Sequence, residues 1–103
     1  MITREMIAQY GDLLLGPTLT GQALEKFDQG CAEYGETNHL SAEFDVLTEA
    51  MEEALDLFCF GAIVLARGGR VEVSKALMQA GAQAARTLMI EMEVQKYGLE
   101  SGD

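Results

Sequence analysis

The chain has 103 residues, which is enough for one domain with one hydrophobic core. Hydrophobic residues make up 49% of it, which excludes a disordered acidic chain, and its formal net charge of −10 excludes binding through nucleic-acid phosphates. The longest uncharged apolar run, residues 57–66, has about half the length of a membrane-spanning helix, and the charged N-terminus does not resemble a signal peptide. We therefore expect one cytoplasmic domain, residues 1–103, without a membrane span.

Two helices are predicted in the first third of the chain. The first is expected over residues 3–15, with Thr3 as its N-cap and a Gly-Pro pair as its terminator. The second begins near Thr20, and Gly35 either caps it or continues it. Both show apolar residues at helical spacing, so each is expected to bury one face.

The third predicted helix, residues 42–67, contains no helix breaker except Gly61. Up to Asp56 the side opposite its apolar stripe is acidic, and beyond Asp56 the helix is apolar on all sides. A helix that is apolar on every side is buried by more than one neighbour. We therefore expect segment 57–66 to be covered by other helices of the domain or by a second copy of the chain, and we predict a homo-oligomer that forms through it.

A fourth helix is predicted after a turn at residues 67–70. It begins at Val71 or Ser74 and runs to Tyr97, with Gly98 as its C-terminal cap and residues 98–103 as a frayed tail. The alternation that would indicate strands is missing from the sequence. The predicted fold is therefore all-α, an oligomeric four-helix bundle of antiparallel type.

Two cysteines, Cys31 and Cys59, lie 28 residues apart on different predicted helices. This spacing forms neither a disulfide framework nor a paired-cysteine metal motif. We expect both to be buried, reduced thiols, as is usual in a cytosolic protein.

The negative charge is concentrated in one segment. Residues 25–56 contain ten acidic residues and one basic residue, so this segment carries −9 of the total charge of −10. Such a cluster holds cations, imitates a polyanion, or forms a solvated acidic surface.

Within this segment, two pairs of acids have the spacing of one helical turn: Glu33 with Glu36, and Glu53 with Asp56. Residues three apart on a helix project from one face, with Cβ atoms about 5–6 Å apart. Two such pairs on neighbouring helices would direct four carboxylates into one space. Mg²⁺ suits such a site because it prefers hard oxygen ligands. Glu49, one turn before Glu53, is a candidate further ligand.

The two acidic pairs can also be interpreted without a metal site. Glu33 and Glu36 also suit a solvated helix end, because Gly35 lies between them. Glu53 and Asp56 lie where the acidic face of the helix meets its apolar segment, so we expect them to be partly buried. A partly buried carboxylate needs a cation or a hydrogen bond.

The arrangement of ExxE, sixteen residues, then ExxD resembles the signature of the all-α nucleotide pyrophosphatase superfamily, the MazG-like and dimeric dUTPase-like group. The segment "EYGE" is similar to its first metal motif, and "EALD" followed by an apolar helix is similar to its second. The resemblance implies an oligomeric helical bundle that hydrolyses a nucleoside triphosphate to a monophosphate and pyrophosphate, with Mg²⁺ or Mn²⁺ as cofactor.

The resemblance also implies residue roles. One of two carboxylates, Glu49 or Glu36, would act as general base on a metal-activated water. The cations available for substrate phosphates are Lys26, Lys75 and Arg86. The last helix lacks the asparagine that the superfamily often uses there. The implied metal ligands are Glu33, Glu36, Glu53 and Asp56.

Two non-enzymatic functions are also consistent with the sequence. In the first, the chain is a small acidic phage-type protein that binds a basic host protein, one that handles nucleic acid. It does so by presenting carboxylates in place of phosphates. An oligomerising adaptor buries its apolar helix against a copy of itself. In the enzyme the acids converge on a metal, whereas in the mimic they spread along one outer face.

Overall fold

The structure, a computed structural model, describes residues 2–34 and 45–101. Within these ranges the chain forms four α-helices and no strand, which confirms the all-α prediction. The helices are α1 (Ile2–Leu14), α2 (Pro17–Tyr34), α3 (Val46–Ala66) and α4 (Val71–Ser101). They form two compact units, α1 with α2 in residues 1–44 and α3 with α4 in residues 45–103.

The connection between α1 and α2 is shorter than predicted. Gly16 has a φ of +82°, a conformation that favours glycine, and its N–H donates to the Gly11 carbonyl at 3.1 Å. Helix α2 then starts at Pro17 rather than near Thr20. A proline is well suited to a first helical position because the N–H it lacks has no intrahelical partner there.

Helices α1 and α2 form an antiparallel hairpin around a close contact at Gly11. A side chain on Gly11 would come within 2.5 Å of Thr20 Oγ1, so only glycine allows this approach. Thr20 is buried, and its hydroxyl donates to the Gly16 carbonyl at 2.7 Å. At the other end of the hairpin, Arg4 binds both carboxylate oxygens of Asp28, at 3.1 and 3.2 Å.

The N-terminus of α3 is fixed by a side-chain cap. Asp45 accepts hydrogen bonds from the Thr48 N–H at 3.1 Å and from the Thr48 hydroxyl at 2.6 Å. The helix was predicted to begin at residue 42; it begins at Val46, after this cap, and residues 42–44 lie outside the described ranges.

Helices α3 and α4 also form an antiparallel hairpin, and small residues lie at their closest approaches. The Ser74 hydroxyl, fully buried, donates to the Gly61 carbonyl at 2.7 Å. Further along, a Cβ on Gly81 would lie 2.6 Å from the Ala54 carbonyl oxygen. The backbones therefore approach closely at two places that are seven residues apart on each helix.

Two details of this hairpin differ from the sequence prediction. Helix α4 continues through Gly98 to Ser101 instead of ending at Tyr97. Cys59 is exposed and Cys31 is only half-buried, so the expectation of two buried thiols is wrong. Cys59 is exposed because α4 contacts a different side of α3.

Because the closest contacts between α3 and α4 are made by small residues and each helix covers only one side of the other, most large apolar side chains of this unit are exposed. Phe58 is 42% exposed on one side of α3, and Phe60 is 59% exposed on the other. On α4, Met89 and Ile90 are 55% and 63% exposed. None of the described helices combines the length and the apolarity needed to cross a membrane.

Candidate functional site

The predicted site residues of α3 lie outside its closest contact with α4. Helix α4 packs on the side of α3 that carries Ala54 and Gly61, both buried. Glu49, Glu53 and Asp56 follow one another at helical spacing on a different side, and all three are exposed. They form an acidic surface over the first half of α3.

Glu53 and Asp56 are therefore not partly buried, contrary to the sequence expectation. The expectation assumed that the apolar second half of α3 would draw its neighbours over these carboxylates. In the α3–α4 hairpin, the helix–helix contact runs through Ala54 and Gly61, and Ala54 lies between the two acids in sequence but points elsewhere on the helix.

Glu53 borders a groove between α3 and α4 with a volume of about 860 Å³. The groove exists because alanines on both helices leave space that larger side chains would fill. Its polar lining groups are the Glu53 carboxylate, the Gln83 amide and the Thr87 hydroxyl. The remaining lining residues are Ala50, Ala54, Leu57, Ala80, Ala84 and Leu88.

The first half of the predicted metal site belongs to a different part of the molecule. Glu33 is exposed near the end of α2, in the α1–α2 unit, and Glu36 lies outside the described residues. In residues 2–34 and 45–101, no group of three or more acidic, histidine or cysteine side chains is arranged to hold a metal ion. The four-carboxylate site stays a prediction.

The three predicted phosphate-binding cations are all exposed. Lys26 lies on α2, whereas Lys75 and Arg86 lie on α4. Lys75 and Arg86 are separated by three helical turns, about 16 Å along the axis, and neither lines the groove beside Glu53. The α3–α4 unit therefore does not bring them together on one phosphate.

The carboxylates with clearly shifted pKa values lie outside the predicted site. Hydrogen bonds from the Thr48 side chain and backbone lower the pKa of Asp45. The hydrogen bond from Arg4 lowers the pKa of Asp28, and the same contact raises the pKa of Arg4. Both shifts come from structural contacts, a helix cap and an exposed ion pair.

The acidic surface of α3 continues into residues that sequence reasoning did not single out. Phe60 and Ile63 follow Asp56 at helical spacing on the same side, and Arg67 follows as the C-cap residue. We call these residues, with the acids before them, the outer stripe: Glu49, Glu53, Asp56, Phe60, Ile63 and Arg67. The signal that could have revealed it is the spacing of these residues, which alternates between three and four.

Comparison of the chain with protein-family models, with curated proteins and with solved structures finds no match. The resemblance to the all-α nucleotide pyrophosphatases therefore depends on the two sequence motifs alone. Any inference about function therefore depends on the geometry of the described residues.

Proposed function

We propose that this protein is the subunit of a homo-oligomer, an antiparallel-type four-helix bundle that assembles through segment 57–66 of α3. The observation that carries the proposal is the exposure of large apolar side chains on two opposite sides of this segment. Phe58 and Leu65 are 42% and 47% exposed on one side, and Phe60 and Ile63 are 59% and 46% exposed on the other.

The two groups differ in their position relative to α4: Phe58 and Leu65 flank the contact with α4, whereas Phe60 and Ile63 lie on the far side of α3. Phe58 and Phe60 lie about 200° apart around α3, given 3.6 residues per turn. The α1–α2 hairpin has its own uncovered leucines, Leu13 and Leu14, each 79% exposed. In the proposed oligomer a second copy of the chain covers Phe60 and Ile63.

The energetic argument is the cost of leaving such side chains in water. Burying an exposed phenylalanine or isoleucine contributes roughly 1.5–3 kcal/mol, and contiguous apolar surface of this kind usually marks an interface. An acidic chain with a net charge of −10 repels its own copies, so the apolar contact has to outweigh this repulsion.

The test is the mass of the wild-type protein by light scattering or sedimentation, over a range of concentrations. We expect a dimer or larger species, and we expect Phe60→Ser to dissociate at concentrations where the wild type stays associated. Ile90→Ser is the control, because it removes an exposed apolar side chain of α4, outside segment 57–66. A wild type that is monomeric at every concentration contradicts the proposal.

A second candidate function is magnesium-dependent hydrolysis of a nucleoside triphosphate to its monophosphate and pyrophosphate. It is favoured by the position of Glu53, whose carboxylate lies in line with Glu49 and Asp56 and also borders the groove between α3 and α4. In this function the α3 carboxylates hold the metal together with Glu33 and Glu36, and Glu49 or Glu36 acts as general base.

The metal proposal is tested by thermal unfolding with and without Mg²⁺ or Mn²⁺ at constant ionic strength. We expect the metal to raise the Tm of the wild type and of Glu93→Gln, a control that removes a carboxylate of α4. Glu53→Gln should abolish the rise. If the wild type shows no metal-dependent shift, the site does not exist; if it does, pyrophosphate release from a panel of nucleoside triphosphates distinguishes an enzyme from an inactive binder.

A further inference from the structure

The outer stripe of α3 is acidic at one end and basic at the other, so it is complementary to a reversed copy of itself. Glu53 and Asp56 come first, Phe60 and Ile63 occupy the middle, and Arg67 follows at the C-cap. Arg70 follows after three more residues, in the turn between the C-cap of α3 and the start of α4. From residue 53 to residue 70 the intervals are three, four, three, four and three, so the pattern reads the same from both ends.

All the members of this pattern are exposed on the described hairpin. Phe60 and Ile63 are 59% and 46% exposed, and the carboxylates and Arg67 are exposed as well. The Arg70 side chain is 80% exposed, and its contact with Glu72 is long, at 3.8 Å. An exposed ion pair of that length contributes little, so Arg70 is available to a different carboxylate.

We propose that the second copy of the chain docks on the outer stripe in an antiparallel orientation, about a twofold axis between Phe60 and Ile63. Phe60 of each chain then faces Ile63 of the other, Asp56 faces Arg67, and Glu53 faces Arg70. Each contact occurs twice, as a twofold axis requires. This inference rests on the proposed self-association and adds its surface, orientation and ion pairs.

Charge decides between the two possible orientations. In a parallel pair, the acidic half of one outer stripe lies beside the acidic half of the other, and the arginines lie beside arginines. In the antiparallel pair, Asp56 of each chain meets Arg67 of the other. Like charges placed together across an interface oppose binding strongly, whereas opposite charges on the rim fix orientation and partner choice.

The spacing supports the same conclusion. Alternating intervals of three and four residues place side chains on one seam, as in two-stranded coiled coils, where apolar residues pack centrally and flanking charges select the partner. Here the apolar centre is short, two residues from each chain, so the flanking ion pairs are a larger share of the recognition. The predicted dimer is therefore sensitive to salt.

The test uses two charge reversals, Asp56→Arg and Arg67→Asp, measured by sedimentation. Each variant alone places like charges opposite each other twice, so we expect its dimer to weaken by roughly tenfold or more. Mixed in equal amounts, the two variants restore both opposite-charge contacts, and we expect a heterodimer with near wild-type affinity. Arg86→Asp, the same charge change on α4, is the control and should dimerise like the wild type.

The outcomes separate this inference from the proposed function. A monomeric wild type overturns both. A wild-type dimer whose affinity is unchanged by either reversal, or reversed variants that stay monomeric when mixed, overturns the antiparallel stripe contact and leaves self-association standing.

If a reversed variant does not fold, judged by its helical circular dichroism, Asp56→Asn and Arg67→Gln replace the pair. Each should then weaken the dimer and reduce its salt dependence, and unchanged behaviour overturns the inference.

Discussion

Ser74 is the residue at which a side chain ties α4 to α3. Its hydroxyl is fully buried and donates to the Gly61 carbonyl at 2.7 Å, across the closest part of the hairpin. Sequence periodicity gave Ser74 only the role of a possible helix start. Its actual role follows from Gly61 opposite it, since only a residue without a side chain lets the hydroxyl come this close.

Replacing Ser74 with alanine should lower the free energy of unfolding by about 0.5–1.5 kcal/mol, the usual net contribution of one such hydrogen bond. Thr87→Ala is the matched control: it removes an exposed hydroxyl from the same helix and gains similar helix propensity. Chemical denaturation measures both. Equal effects of the two substitutions would show that the Ser74 contact contributes nothing specific.

Asp45 is the residue that makes the stability of α3 depend on pH. The Thr48 hydrogen bonds lower its pKa in the folded state, so its contribution is complete above the ordinary aspartate pKa of about 3.9 and is lost as the pH falls through the lower, folded value. We expect the Tm of the wild type to fall more steeply below about pH 4 than that of Asp45→Asn, which caps without titrating. Parallel curves for the two proteins would contradict this assignment, and Asp12→Asn is a control outside the cap.

At the scale of helices, the sequence predicted which segments are helical and predicted their ends less well. Apolar periodicity located all four helices because it reflects the faces that they bury. Pro17 and Gly98 were both predicted to mark the end of a helix. Pro17 instead starts α2, since a proline suits a first helical position, and Gly98 lies within α4, since a glycine is tolerated in a helix when the residues around it favour that helix.

The glycines between α3 and α4 give a prediction at this scale. A Cβ on Gly61 would meet Ser74 and Met78 atoms at 2.7–2.9 Å, and one on Gly81 would meet α3 backbone at 2.6 Å. We expect Gly61→Ala and Gly81→Ala to destabilise the protein by about 1–3 kcal/mol, because the helices must separate.

Gly21→Ala is the control for these substitutions. A Cβ there meets nothing within 4 Å, so this change should stabilise α2 by about 0.5–1 kcal/mol through helix propensity alone. Thermal unfolding of the three variants compares them directly. A stabilising effect at Gly61 or Gly81 would mean that the close approach of the helices is not needed.

At the scale of the molecule, self-association should couple stability to concentration. If the folded chain is an oligomer, unfolding also separates subunits, and the Tm falls on dilution. We expect a decrease of several degrees on roughly hundredfold dilution of the wild type and a smaller one for Ile63→Ser. Scanning calorimetry or fluorimetry at two concentrations measures this, and an unchanged Tm of the wild type would indicate a monomer.

The candidate site shows where sequence reasoning stops. The spacing of Glu49, Glu53 and Asp56 correctly placed three carboxylates on one side of a helix, since helical geometry is local. Whether Glu33 joins them depends on how two hairpins meet, which no local pattern specifies. Exposure along an outer face is also what the polyanion-mimic hypothesis predicts, and the metal titration tests whether these acids bind a cation instead.

The two close backbone contacts, Gly61 with Ser74 and Gly81 with Ala54, have a mechanical consequence. A slide of α4 by one turn, about 5.4 Å, would place Leu77 or Ala85 where Gly81 now lies, and neither fits against the α3 backbone. Because the contacts are two turns apart on both helices, they block sliding and tilting together. The two contacts therefore hold α3 and α4 in one register and oppose a shift of either helix along the other.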